Sequence, residues 1–204
     1  MTAGAPAHAV VVLAAGSSTR LGQPKQWLCR DGETLLHRAV RLASETAPAG
    51  VFVVVAEGDH AASQALEDVP CAQLLKTPPS ADMADSLRRA ADAVRAYPQV
   101  LVMLCDQPAL TLGHLRALLG GACASASGCA ATLLLGLASV PAVVPGPWFD
   151  AVTSGAARGG FRERLRALPC EALLLVPDST LEWDIDTPDD LRAARRQGLL
   201  DAEG

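Results

Sequence analysis

Residues Val10–Lys25 read VVVLAAGSSTRLGQPK. Val10 to Leu13 is a β-branched apolar run, the pattern of a buried strand. Ala14, Ala15 and Gly16 follow with almost no side chain, so a ligand can approach the backbone there. Ser17, Ser18 and Thr19 add hydroxyls and free N–H groups. Arg20 and Lys25 add two cations, and Gly22 and Pro24 keep the segment out of a helix. Backbone donors, hydroxyls and fixed positive charge after a buried strand are what a polyphosphate requires.

Two familiar phosphate loops are excluded by the spacing. A Walker A loop needs Gly-Lys followed at once by Ser or Thr, whereas Gly22 is followed by Gln23 and Lys25 by Gln26. A dinucleotide fingerprint needs a second glycine two residues after the first, and Gly16 has none. The stretch instead resembles the signature of the MobA-like nucleotidyltransferases, L-A-[AG]-G-x-S-x-R-[ML]-G-x-x-K. Leu13, Ala14, Ala15, Gly16, Ser18, Arg20, Leu21, Gly22 and Lys25 meet its fixed positions. Two later landmarks follow in that family's order, Leu104-Cys105-Asp106-Gln107-Pro108 and Asp184-Ile185-Asp186-Thr187-Pro188. The Ala14-Ala15-Gly16 and Asp106-Gln107-Pro108 forms look most like the molybdenum cofactor cytidylyltransferase branch of that family.

Composition narrows the alternatives. A chain of 204 residues suits one domain, here residues 1–204, and with half its residues hydrophobic it can bury a sizeable core. The net charge of −5, with dispersed basic residues, argues against general nucleic-acid binding. None of the six cysteines stands in a C-x-x-C pair, so a zinc site is not indicated and reduced thiols in a cytoplasmic protein are expected. The N-terminus lacks a basic n-region and leads straight into a strand, and no apolar stretch reaches the length of a membrane span.

Taken in order, the chain alternates strands and helices. Strands are expected at Ala9–Leu13, Val51–Val55, Cys71–Leu75, Val100–Cys105, Thr132–Leu135, Ala142–Val144 and Glu171–Val176. Gln26-Trp27-Leu28 is expected as a lid or short strand, and Lys76 to Ser80 as loop. Helices are expected at Thr34–Ser44, from Asp59 to about Glu67, Met83–Ala96, from Thr111 to about Leu119, Trp148–Thr153, Gly160–Leu168 and Asp189–Gln197. Thr187 should cap the last of these, with Pro188 at its first position. This alternation implies a three-layer α/β/α fold, Rossmann-like, around a mainly parallel doubly wound sheet. The resemblance implies the nucleotide-diphospho-sugar transferase variety of it. In such sheets ligands sit beyond the carboxyl ends of the strands, so the loop after Leu13 and the Asp106 turn can share one crevice.

Asp106, at the rim of the sheet, suits a divalent cation that takes carboxylate and phosphate oxygens. The resemblance carries a metal-holding role onto it. Asp184 and Asp186 alternate on an extended segment and point the same way. Asp186 is preferred as the second magnesium ligand, because related families draw one from the C-terminal part of the domain. Asp189 and Asp190 fall in a first helical turn and are read as structural. The resemblance further places the nucleotide on Leu13 to Ser18, Arg20, Lys25, Met83 and Ser86, although Asp82 replaces the usual glycine before the methionine. Pro141, Arg158 and Asp184 are candidates for the acceptor. Ser139 and the GAARGG run at residues 155–160 depart from the related patterns, which affects acceptor identity more than reaction type. No histidine receives a catalytic role.

The resemblance implies a magnesium-dependent nucleotidyltransferase. It would join CMP from CTP to the terminal phosphate of a molybdopterin-type cofactor and release pyrophosphate, with Arg20, Lys25 and Asp106 as its catalytic residues. The product would serve a xanthine-dehydrogenase-type molybdenum hydroxylase through transient contact. The same chemistry with GTP or another phosphorylated acceptor is the nearest rival. A non-catalytic chaperone that holds the finished cofactor is the rival of another class.

Overall fold

The computed structural model describes residues 7–16, 18–69, 72–79, 82–154, 160–183 and 185–202. In chain order the elements are β1 (His8–Leu13), β2 (Cys29–Arg30), β3 (Glu33–Thr34), α1 (Leu35–Ser44), β4 (Gly50–Ala56) and α2 (His60–Ala65). Next come β5 (Ala72–Thr77), α3 (Met83–Val94), β6 (Gln99–Leu104), α4 (Leu112–Ala124), β7 (Cys129–Leu134) and β8 (Leu137–Val144). The chain closes with α5 (Phe149–Thr153), α6 (Arg162–Arg166), β9 (Leu173–Pro177) and α7 (Pro188–Arg196).

Seven strands form one sheet in the order β5-β4-β1-β6-β8-β7-β9, and β2 and β3 form a separate antiparallel pair. All pairings in the large sheet are parallel except those of β8 with β6 and β7. The expected mainly parallel, doubly wound, three-layer architecture is therefore present. Strand β1 shows why a near-continuous apolar run is needed: Val10 and Val12 pack into one layer with α1, α2 and α4, while Ala9, Val11 and Leu13 pack into the other with α3, α5 and α6. Each residue of β1 is buried, so the strand has no solvent face and no alternation.

A third apolar cluster fixes the site. Leu21 of the signature stretch and Leu28 just after it pack with Leu35 of α1, Ile185, and Leu191 and Ala194 of α7. Fully burying a side chain such as Leu21 or Ile185 is worth roughly 1.5–3 kcal/mol. The cluster ties the C-terminal segment to the loop and carries the neighbour of Ile185, Asp186, over the end of β1.

Several expected boundaries are corrected. Lys76 and Thr77 are strand rather than loop, because β4 extends to Ala56 and pairs with them; the run ends at Pro78, which has no N–H to donate. The expected start of that strand at Cys71 lies outside the described residues. Residues Lys25–Trp27 form a 3-10 turn, not a lid or strand, and the short strand follows at Cys29–Arg30. Helix α4 runs through Gly120 and Gly121 to Ala124. A Cβ on Gly121 would stand 2.3 Å from Leu174 Cδ2, so the glycine lets β9 approach the helix. The last strand begins at Leu173, after a 3-10 turn at Cys170–Ala172. Strands β7 and β8 are longer than expected and are joined by Leu135 and Gly136, whose positive φ values of 48° and 77° suit a tight hairpin. Cys29, Cys105, Cys123, Cys129 and Cys170 are unpaired thiols. No helix among the described residues is long and apolar enough to cross a membrane.

Candidate active site

The signature loop leaves the carboxyl end of β1 and folds back on itself at Ser18. This residue adopts φ 47°, a left-handed conformation that costs a non-glycine residue roughly 1–3 kcal/mol and persists only where its surroundings enforce it. Here they do. The Ser18 carbonyl accepts from the N–H groups of Leu21 and Gly22, both at 3.1 Å. Its Oγ accepts from the backbone N–H of Lys25 at 3.2 Å. The loop is thereby closed into a hook, and the Lys25 side chain projects back toward the end of the sheet.

Lys25 Nζ donates to Asp186 Oδ1 at 2.6 Å and to Asp106 Oδ2 at 3.2 Å. Arg20 donates to the other Asp186 oxygen at 2.6 Å. The ion pairs differ in setting: the Lys25 side chain is 14% exposed and that of Arg20 73%. An exposed pair such as Arg20–Asp186 contributes only about 0–1 kcal/mol, so Arg20 is readily released to another anion. For Lys25, burial works to lower the pKa. Hydrogen bonding and charge from Asp186 and Asp106 more than offset it, and the ammonium is held above its ordinary value. The hydrogen bond from Lys25 is the main cause that holds Asp186 below the usual carboxylate range, with the charge of Arg20 assisting against burial.

Asp186 is placed by the start of α7. Thr187 Oγ1 accepts from the Asp190 N–H, and Asp190 Oδ2 accepts from the N–H groups of Asp186 at 3.2 Å and Thr187 at 2.8 Å. This capping box, with Pro188 in the first turn, confirms the structural reading of Asp190. Asp189 pairs with Arg192 on the helix surface. Cys105, beside Asp106, is buried; burial and the neighbouring carboxylate push its thiol upward, so it stays protonated and unreactive.

These groups line one cleft of about 340 Å³. Its walls include Leu13 to Gly16, Ser18, Arg20, Lys25, Met83, Ser86, Asp106 and Asp186. Ser17, Arg158 and Asp184 lie outside the described residues. Ser86 reaches the cleft but spends its hydroxyl proton on the Asp82 carbonyl at 3.1 Å. Asp82 caps α3 through a reciprocal box with Asp85. Arg88 pairs with Asp85 and donates to the Val152 carbonyl, away from the cleft. Pro141 is buried inside β8, and its carbonyl accepts from Thr132 Oγ1 at 2.8 Å. It does not line the cleft.

Thr19, expected as a donor of the loop, lines the cleft, and sequence reasoning overlooked Gln26, Leu104, Cys105 and Asp82 as cleft walls. Gln26, buried and donating to Asp59 at 3.3 Å, sits next to Lys25 in the 3-10 turn, and that adjacency was the available signal. The donor chemistry fits a magnesium ion: two carboxylates already share one cation, and magnesium needs only one or two protein carboxylates beside phosphate oxygens. No group of three or more His, Cys, Asp or Glu side chains suited to a metal occurs among the described residues.

Residues 10–172 match the family model described as the MobA-like NTP transferase domain. Among curated proteins, the probable molybdenum cofactor guanylyltransferase of Opitutus terrae is 34% identical over 110 residues. That match covers 54% of this chain and 53% of the relative, so the chain spans about half the length of the curated relative it matches. The fold is shared with Rv0371c of Mycobacterium tuberculosis H37Rv, at 23% identity and TM-score 0.76, over 94% of this chain and 99% of that one. A second structure of that protein is a complex with manganese, at 22% identity and TM-score 0.69, over 92% of this chain and 97% of that one. Molybdopterin-guanine dinucleotide biosynthesis protein A of Archaeoglobus fulgidus shares it at 19% identity and TM-score 0.64, over 93% and 97% of the two chains.

Proposed function

Because the chain belongs to the MobA-like NTP transferase family, we propose that it is a nucleotidyltransferase that joins the CMP of CTP to the phosphate of a molybdopterin-type cofactor. The observation that carries this reading is the placement of Lys25 between Asp106 and Asp186 at the mouth of a strained, preformed loop. Acceptor and donor are both anions, so the chemistry asks for cations and for oxygen ligands to a metal, and the cleft supplies both.

The reaction balances without a strong base. A phosphate monoester is mostly dianionic near neutral pH, since its second pKa is about 6. One of its oxygens attacks the α-phosphorus of CTP, the bond from that phosphorus to the β-phosphate bridging oxygen breaks, and pyrophosphate leaves with the electron pair. Lys25 and Arg20 hold the β- and γ-phosphates and neutralise the charge that builds on the leaving group. Leu13 to Ser18, with Met83 and Ser86, supply backbone and wall contacts to the nucleotide. Asp106 and Asp186 would hold magnesium, which when bound neutralises phosphate charge and polarises the α-phosphorus. Arg158, Asp184 and the segment around Pro141 are assigned to the acceptor side. Pro141 acts there only through the backbone it fixes.

The Ala14-Ala15-Gly16 form of the loop supports CTP. The name of the Opitutus relative supports a second reading, the same transfer with GTP. A cofactor-holding chaperone has less support, because it needs no cation clasped by two carboxylates. With the transferase reading go a single domain over residues 1–204, a cytoplasmic setting and transient contact with a molybdenum hydroxylase.

The test is pyrophosphate release by the purified protein with magnesium, molybdopterin, and CTP or GTP. Acceptor-dependent release with CTP is expected. Release with GTP alone would change the donor. Cofactor binding without release from any NTP would replace the enzyme with the binder.

A further inference from the structure

The turn that carries Asp106 is held from outside by two arginines that the reaction does not use. Arg30, in β2, donates from Nη1 to the Pro108 carbonyl at 2.7 Å. Arg38, in α1, donates from Nε to the same carbonyl at 3.3 Å and from Nη2 to the Leu110 carbonyl at 2.8 Å. Leu110 N–H bonds back to the Gln107 carbonyl at 3.1 Å, and Gln107 Nε2 reaches the Val140 carbonyl at 3.4 Å. The turn after Asp106 is therefore fastened at three of its own carbonyls and one side chain.

This use of arginine is unusual in its cost. Two guanidinium groups converge on one oxygen, and the charge of Arg30 works against that of Arg38. Burial first, and then this repulsion, holds Arg38 below its ordinary pKa. Arg30 has the exposed carboxylate of Asp31 at 3.4 Å. Arg38 has no carboxylate within ion-pair distance among the described residues; its fork is matched to two backbone oxygens. The Arg30 side is secured in turn by the C-terminal segment. Asp201 accepts from the N–H groups of Asp31 at 2.7 Å and Gly32 at 2.8 Å, and its own N–H donates to the Cys29 carbonyl at 2.8 Å. The β2–β3 hairpin, and α1 after it, directly follow the segment that delivers Lys25. The same stretch of chain thus sets the position of Lys25 and reaches across to set that of Asp106.

We propose that Arg38, with Arg30, is a positioning residue that fixes the distance between the Lys25 hook and the Asp106 carboxylate, and so governs how well the cleft holds a divalent metal with its nucleotide. This rests on the reading of Asp106 as a metal ligand. Removing a group that orients a ligand typically lowers metal affinity or activity about 10–100-fold, and a planar fork bound to two oxygens is not replaced by lysine.

The test is a double-mutant cycle read by manganese binding, using electron paramagnetic resonance with a non-hydrolysable CTP analogue present. The variants are Arg38→Met, Asp106→Asn and the pair; Arg38→Met keeps the apolar stem, and Arg30→Gln serves as a second route if it folds poorly. Arg38→Met is expected to weaken manganese binding at least 10-fold while changing binding of the analogue without metal less than twofold. On the Asp106→Asn background it should add almost nothing, since it acts through that carboxylate. Full additivity, or unchanged manganese binding in both Arg38→Met and Arg30→Gln, would overturn the proposal while leaving Asp106 as a ligand. An Asp106→Asn protein that binds manganese as the wild type does would overturn both.

Discussion

Lys25 and Asp186 meet in a 2.6 Å ion pair across 161 positions of sequence, and this pair occupies the place where a metal and a triphosphate are assigned. The ammonium sits between the two carboxylates and competes with any other cation for them. Metal alone is expected to bind poorly, and metal with nucleotide well, because phosphates draw Lys25 and Arg20 away. Lys25→Gln should therefore strengthen binding of manganese alone while weakening binding of CTP. Calorimetric titration of both ligands on both proteins checks this; equal manganese affinity with and without Lys25 would remove the competition.

Loss of Lys25 should cost catalysis more than stability. By analogy with a lost oxyanion donor, Lys25→Ala is expected to lower turnover by roughly 10²–10³-fold. Any fall in stability should be small beside that loss of turnover, since it reflects only the two ion pairs given up. Near-normal pyrophosphate release by this variant would end its assigned role.

The ion pair also sets a pH window. Asp186 is depressed in the folded chain, so its contribution is present above the unfolded carboxylate value of about 3.9 and is lost as pH falls through the lower folded value. Lys25 is raised, so its contribution is full below about 10.4 and is lost as pH rises through the higher folded value. The stability difference between wild type and Asp186→Asn should be flat from pH 5 to pH 9. Urea melts across that range check it, and a difference that varies with pH inside it would contradict the assignment.

Much of this site was legible because its chemistry depends on residue order. Val10–Lys25 names the strand, the loop and both cations, Asp106 follows the most apolar strand, and Thr187-Pro188 marks the start of α7 beside Asp186. What stayed hidden depends on tertiary packing. Arg30 and Arg38 look like solvent-facing charges until α1 is laid beside the Asp106 turn. Lys76 and Thr77 read as loop because only their pairing with β4 makes them strand. The family resemblance put Pro141 toward the acceptor, yet it is an interior residue of β8. The helix expected to end near Leu119 runs on to Ala124, and Gly121 within it makes room for Leu174.

His114 gives the fold an acid sensitivity. It is buried, with Nε2 on Thr132 Oγ1 at 2.8 Å and Asp178 3.5 Å from Nδ1. Burial holds its pKa down despite the charge of Asp178. The unfolded chain then binds the proton more readily, so stability falls as pH drops through the ordinary value of about 6.5. His114→Gln is expected to lose less stability than wild type between pH 7.5 and pH 5.5. Parallel losses in the two proteins would show that this histidine does not contribute.

Two glycines should respond differently to the same change. A Cβ on Gly146 would stand 2.2 Å from the Tyr97 carbonyl oxygen and 2.7 Å from that of Arg95, so backbone must move. Overpacking of this kind costs about 1–3 kcal/mol. On Gly121 the obstacle is the half-exposed end of Leu174, which can turn aside, and a helical alanine gains about 1 kcal/mol over glycine. Gly146→Ala should therefore destabilise clearly more than Gly121→Ala in denaturant unfolding; the reverse order would contradict the packing described.

The most direct measurement is thermal unfolding with CTP, GTP, ATP and UTP, each with and without magnesium, in wild type and Asp106→Asn. A ligand at 100 times its Kd adds about 2.7 kcal/mol, or on the order of 5–10 °C for a chain of this size. A magnesium-dependent rise with CTP above the other nucleotides, lost in Asp106→Asn, is the predicted result. No shift with any nucleotide, or a shift that ignores both magnesium and Asp106, would contradict a metal-dependent nucleotidyltransferase site.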